Sequence, residues 1–309
     1  MLEAGMKKRS SSDRIPLVQA LGWIVGSSLI ISASGHAVFK TLLNKNPSNH
    51  KEAKITSLIQ TGPQKEALRS EYLSQLMGLS KDRPQLVSRF DPKKARAALL
   101  TSPLVQDARV KVLKPSTVYV DYTVRQPLAW LYDYENIAID KEGFLIPMYP
   151  FFPPKNLPEI YLGLSPFGER PVVAHLPIAA WNEPLRGPMI ELAFDIHSRL
   201  QPLSRELFRI KRIDVSKAYE DSLGKREIIV IVDNEIFMQD SSDPVLSTHY
   251  LRLSTKNYPQ ELGNYLEVRK TILDGDLQKL KGLEVGQKAS VSEKIIDLRL
   301  PQLAYIDEK

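Results

Sequence analysis

Residues 105–124 read VQDARVKVLKPSTVYVDYTV, and this stretch decides the fold class. Ala108, Val110 and Val112 alternate with Asp107, Arg109 and Lys111. Beyond Lys114, Pro115 and Ser116, the residues Val118, Val120, Tyr122 and Val124 alternate with Tyr119, Asp121 and Thr123. Side chains of a strand point to opposite faces in turn, so a period of two marks a strand with one buried face. The short connection between the two runs predicts a hairpin.

The chain before this hairpin has a different period. Residues 54–60 (KITSLIQ) are a short strand candidate, and Gly62-Pro63 is a turn. Residues 64–77 place Leu68, Tyr72 and Leu76 at helical spacing, with Leu79 beyond and Gly78 as the stop. A second helix starts at Asp91, an N-cap residue followed by Pro92 at the first helical position. Ala95, Ala98 and Leu99 give it an apolar face, and Thr101-Ser102-Pro103 ends it. The order β-α-α-β-β over residues 54–124 predicts a three-stranded sheet with two helices on one face, an α+β unit.

Residues 125–309 read as a mainly antiparallel β domain with flanking helices. Strands are predicted at 130–132, 137–140, 144–148, 208–215, 227–233, 248–254 and 294–300, and helices at 188–200 and 262–273. The proline-rich run 150–158 is irregular, and 165–181 and 235–247 fit no regular pattern.

Residues 15–39 carry no full charge. As a helix they would extend roughly 37 Å, more than the ~30 Å of bilayer hydrocarbon. Lys7, Lys8, Arg9 and Arg14 precede them, against Glu3 and Asp13. The excess of cations places the N-terminus in the cytoplasm and the bulk of the chain outside it. The expected organisation is a cytoplasmic tail at 1–14, a single transmembrane helix at 15–39 and a polar linker at 40–53. A cleaved signal peptide is the rival reading, since Ser32-Ala33-Ser34 resembles a cleavage site. Gly22 and Gly26 form a G-x-x-x-G pair, which can bring helices together but is common in membrane helices anyway.

Composition narrows the chemistry. The chain has 309 residues, a net charge of +6 and no cysteine. Disulfides, thiolate nucleophiles and cysteine-ligated metals are therefore excluded. The basic residues are interspersed with acidic ones, which does not fit nucleic acid as a partner. The five histidines, His36, His50, His175, His197 and His249, show no metal-binding spacing, and no phosphate-binding loop or nucleophile elbow is present. Asp274-Gly275-Asp276 lacks the further ligands of a calcium loop and reads as a turn. A non-enzymatic protein with no cofactor, no metal and no small-molecule substrate is expected.

Several segments taken in order resemble the FtsQ/DivIB family of bacterial division proteins. A β-α-α-β-β unit just outside a signal anchor is similar to a POTRA domain. Residues 102–110 and 114–120 resemble the family's helix end, proline, basic strand and proline turn. Arg125-Gln126-Pro127-Leu128-Ala129-Trp130 is similar to its charged-x-Pro-x-Ala-aromatic junction, and residues 139–144 (IDKEGF) to the hairpin that follows. Ile296-Asp297-Leu298-Arg299 is similar to its terminal strand, although Leu300 stands where an aromatic is usual.

The resemblance implies a single-pass protein of the bacterial inner membrane, enriched at the division septum. It also implies a β-domain edge that holds small coiled-coil division proteins of the FtsB/FtsL or DivIC type, linking them to septal wall synthesis. The expected partner-binding residues are Ile295, Asp297, Arg299 and Leu300. Alternation puts Ile296, Leu298 and Leu300 on one face and Ile295, Asp297 and Arg299 on the other, with Pro301 favouring a strand at the sheet edge. Two other readings stand beside this one. One is an outer-membrane assembly or secretion factor, for which the strands are too few to build a barrel. The other is an envelope scaffold unconnected with division.

Overall fold

The computed structural model describes residues 53–62, 67–165, 180–238, 244–281, 291–300 and 303–309. The expected tail, membrane helix and most of the linker, at 1–52, lie outside the described residues, as does much of the irregular run 165–181. No described helix is long and apolar enough to cross a membrane.

Strand β1 (Ser57–Thr61) is followed by helices α1 (Ser70–Leu76) and α2 (Pro92–Leu100), then by strands β2 (Val105–Leu113) and β3 (Thr117–Val124). These strands form a sheet in the order β1-β3-β2, parallel between β1 and β3 and antiparallel between β3 and β2. The start of α2 follows from its cap. The Asp91 carboxylate accepts from the backbone N–H groups of Lys93 and Lys94, and Pro92 supplies the fixed φ of a first turn. Gly78, at φ 70°, stands just past α1, a conformation that favours glycine. Leu73 of α1 and Leu99 of α2 pack with Val118, Val120 and Tyr122 of β3 in one core.

A second sheet begins at once. It holds β4 (Pro127–Leu131), β5 (Ile137–Asp140), β6 (Leu145–Pro147), β7 (Glu159–Tyr161), β8 (Arg209–Asp214), β9 (Ile228–Ile236), β10 (Val245–Leu253), β11 (Lys294–Asp297) and β12 (Tyr305–Glu308). Their order is β12-β11-β10-β9-β8-β7-β4-β5-β6. Helices α3 (Pro188–Leu200) and α4 (Tyr258–Lys281) contribute Ile190, Ile196, Leu262 and Tyr265 to its core. The chain is thus α+β, with one small and one large mixed sheet.

Several expectations are corrected. The large sheet is mainly antiparallel, as expected, but it is mixed, because β4–β7, β7–β8 and β10–β11 pair in parallel. Parallel neighbours need a crossover, and α4 supplies the one between β10 and β11. Strand β7, which follows the proline-rich run, is additional to the expected strands. Helix α4 is longer than 262–273 and runs straight through Asp274-Gly275-Asp276, so this triplet is helix and not turn. A Cβ at Gly263 or Gly275 would meet nothing within 4 Å, so neither glycine is there for close packing.

The two sheets meet at β5, all of whose residues are buried. Ile137 and Ile139 face the large core, while Ala138 joins Ile146 and Met148 in the core of the N-terminal unit. Beside this seam Arg125 donates from Nη1 to Asp140 Oδ2 at 2.9 Å, and its guanidinium lies 3.6 Å from the Phe144 ring centre. Asp140 Oδ1 accepts from the backbone N–H groups of Glu142 and Phe144, both at 2.9 Å, and so shapes the turn into β6. Removing one member of a buried ion pair leaves the other charge without compensation. Asp140→Ala is expected to lower stability by about 3–5 kcal/mol in urea unfolding. A loss under about 1 kcal/mol would show that the pair is not what sets this junction.

Candidate partner-docking edge

Strand β11 is an inner strand. It pairs in parallel with β10 on one side and antiparallel with β12 on the other. The expectation that residues 294–300 form the sheet edge is therefore corrected, and the strand itself is shorter, ending at Asp297. Pro301, expected to mark the edge, lies outside the described residues. The edge is β12, one strand further out.

The predicted residues divide into two groups. Ile295 and Asp297 are half-buried on the face of β11 away from the large core. Asp297 takes a fork from Arg299, Nε to Oδ1 at 2.9 Å and Nη2 to Oδ2 at 2.6 Å, and a further contact from Arg252 at 3.3 Å. Arg252 also donates to Glu227 at 2.6 Å. These guanidinium groups hold the Asp297 carboxyl below its usual range against the opposing effect of burial. Arg299 is thus already paired within the chain, with its side chain only 27% exposed. Leu300 does not share the core face of Ile296 and Leu298. Those two are buried, while Leu300 lies past the strand and is 54% exposed.

The start of β12 and the residues before it expose apolar side chains, and Asp307 and Glu308 follow them. Leu303 is 66% exposed, Tyr305 62% and Ile306 43%. Lys309 N–H donates to Glu293 O, which sets the alternation of the antiparallel ladder. The N–H and C=O groups of Ile306 and Glu308 then point away from β11, where no described strand meets them. Lys279 of α4 pairs with Glu308 and ties the strand to the helix.

Beneath β10 and β11 lies a buried polar cluster that spacing between histidines could not reveal. Ser247 and His249 of β10, Asn234 of β9, Tyr265 and Asp276 of α4, and Lys294 of β11 are all buried. Lys294 Nζ reaches Asp276 Oδ1 at 2.6 Å, and Ser247 Oγ donates to Asp276 Oδ2 at 2.8 Å. His249 Nε2 lies 3.0 Å from Ser247 Oγ, and its Nδ1 lies 2.9 Å from Tyr265 Oη. The residue types match those of a hydrolytic triad, but the order does not. Here serine stands between histidine and carboxylate, so the histidine is in no position to relay a serine proton toward the acid. Among the described residues no cluster of histidine and carboxylate groups could hold a metal ion.

An open groove of about 980 Å³ lies on the N-terminal unit, between β1, α1 and residues 78–85. Ile55, Leu58, Leu79 and Pro84 line it with serines and glutamines, and among the described residues its charged groups are Glu71 and Lys81. It gathers no catalytic set. No protein-family model matches this chain, and no curated protein matches it.

Two substitutions separate packing from pairing at the end of β11. Leu298→Ala should cost about 2–5 kcal/mol, the range for a buried leucine. Arg299→Ala should cost no more than about 1 kcal/mol, because its pairs are partly open to solvent. Equal losses in thermal or urea melts would mean that the open-face ion network contributes as much as the core.

Proposed function

We propose that this chain is a non-enzymatic division protein of the FtsQ/DivIB type. It is anchored through residues 15–39 in the inner membrane, with its N-terminus cytoplasmic and its bulk outside. In this reading residues 54–124 form a POTRA-like domain, and the large sheet receives a small coiled-coil partner of the FtsB/FtsL or DivIC type. The partner adds an extended segment to β12.

The solvent-facing β12 edge carries the proposal. Its outward N–H and C=O groups offer main-chain pairing, and Leu303, Tyr305 and Ile306 flank them with apolar surface. The order of elements supports it, with a β-α-α-β-β sheet followed by a larger sheet. So does the junction, where the two segments that carry part of the resemblance meet through Arg125, which pairs with both Asp140 and Glu142. Asp297 and Arg299 keep a supporting role, fixing β11 so that β12 has a strand to lie on.

The test uses the full-length chain and small coiled-coil candidates co-expressed with it. Ile306→Pro removes an outward N–H and, at an edge, disturbs no inner ladder. It is expected to weaken partner binding about tenfold or more with little change in melting. Unchanged affinity would remove β12 from the interface. A fluorescent fusion should form a midcell band, whereas an even envelope signal would favour a scaffold unconnected with division.

A further inference from the structure

We infer that the polar cluster under β10 is a proton-sensitive clasp, which holds the β11–β12 ribbon on the sheet and releases it when His249 is protonated. The cluster has one consistent direction of donation. Arg269 Nε donates to Asn234 Oδ1 at 2.7 Å, so the Asn234 amide N–H groups face Ser247 O, Tyr265 Oη and His249 Nδ1. Lys294 and Ser247 both donate to Asp276, which leaves Ser247 Oγ to accept from His249 Nε2–H. The neutral imidazole therefore carries its proton on Nε2, and Nδ1 accepts from the Tyr265 hydroxyl.

A second proton on Nδ1 breaks this order. The new N–H meets an oxygen whose own hydrogen pointed at it, and it faces the Asn234 N–H groups as well. Tyr265 Oη would have to turn its proton away from its acceptor. The added charge is also poorly placed. Lys294 is the register partner of His249 across the β10–β11 ladder, Arg269 approaches from α4, and the carboxylate of Asp276 is already bridged by Lys294. Burial and Lys294 hold the His249 pKa down at about 4, with Asp276 acting in the opposite sense.

The ribbon is the part that can yield. The β9–β10 ladder runs from Val245↔Ile236 to Leu253↔Ile228, whereas β10–β11 covers only His249↔Lys294 to Arg252↔Asp297. Among the described strands β12 pairs with β11 alone, and beyond that ladder it is held by exposed contacts such as Lys279–Glu308. Lifting the ribbon removes Lys294 from beside His249 and admits water to the imidazole. The loss of a docking edge in acid rests on the reading of β12 given above, but the clasp itself does not.

The direction follows from linkage. The exposed imidazole has a pKa near 6.5 and the docked one about 4, so docking is strongest above pH 6.5 and is lost progressively as the pH falls toward 4. Hydrogen exchange of the full-length protein in detergent micelles, corrected for intrinsic rates, tests this without any partner. Between pH 7.5 and pH 5 the opening equilibrium of β11 and β12 should rise about thirtyfold relative to that of β9. His249→Gln keeps an N–H toward Ser247 but does not titrate, and should abolish the difference. Lys294→Met removes the neighbouring cation, brings the docked pKa of His249 closer to 6.5 and should make the rise between pH 7.5 and pH 5 clearly smaller than about thirtyfold. The proposal falls if His249→Gln retains the wild-type pH dependence or if β9 opens in step with the ribbon. Should His249→Gln fail to fold, an undiminished rise in Lys294→Met overturns it. Loss of partner binding in Ile306→Pro would still stand if the clasp failed, so the two ideas fail separately.

Discussion

Strand β5 is buried from Ile137 to Asp140, and alternate residues serve two different cores. An antiparallel strand usually gives one face to solvent, and its sequence alternates accordingly. IAID does not alternate, because both of its faces are interior. The large sheet and the N-terminal unit therefore cannot be separated without exposing Ala138, Ile146 and Met148. Asp140 closes the strand and fixes the relation between the two parts. It holds Arg125, the residue just after β3, and the backbone of the turn before β6. Buried ion pairs contribute little net stability when measured against apolar replacements. Their effect here is on geometry, since a planar guanidinium between a carboxylate and the Phe144 ring tolerates few arrangements.

The far end of the sheet is organised differently. Helix α4 carries the chain back so that β11 lies parallel to β10, and β12 then folds back on β11. The ribbon is fastened on both faces. On the core side Lys294 meets Asp276 in a buried site, and on the open side Arg252 and Arg299 bracket Asp297. Taking Lys294 and Asp276 out of water carries a desolvation cost, which falls only when every donor and acceptor is matched. The chain of bonds from Tyr265 through His249 and Ser247 to Asp276 provides that match, and it does so only for a neutral imidazole.

Period alone locates many of the elements. Residues 105–113, 117–124 and 188–200 form the expected strands and helix, because each has a clear period and a polar or proline boundary, while 137–140 is found as a short apolar run ahead of a turn. The cap at Asp91 is legible for the same local reason. Strands β7 and β12 are not, since so few residues cannot display a period. The sequence pattern ends helix α4 before Asp274-Gly275-Asp276, where local propensity speaks for a turn and tertiary packing decides otherwise. A signal for the buried cluster does exist. Ser247 and His249 lie at even spacing from Leu251 and Leu253, which are buried, and Asp276 lies midway between Ile272 and Leu280 at one-turn spacing. Polar residues on an otherwise apolar face are the mark of a buried network.

The outer edge of the large sheet shows what a single sequence withholds. Alternation tells which residues of a strand share a face, and it places Ile296 and Leu298 on the buried one. It does not tell which strand lies next to which, so Lys294–Asp297 could not be recognised as an inner strand. The error changes the chemistry of the site. Arg299 holds Asp297 within the chain, and in the reading proposed above an incoming strand would meet the backbone groups of β12 first. Selectivity then falls to the side chains beside them. Tyr305 and Asp307 share one face of β12, and Ile306 and Glu308 share the other. A matching partner strand would set apolar groups against Tyr305 and Ile306 and keep acidic groups away from Asp307 and Glu308.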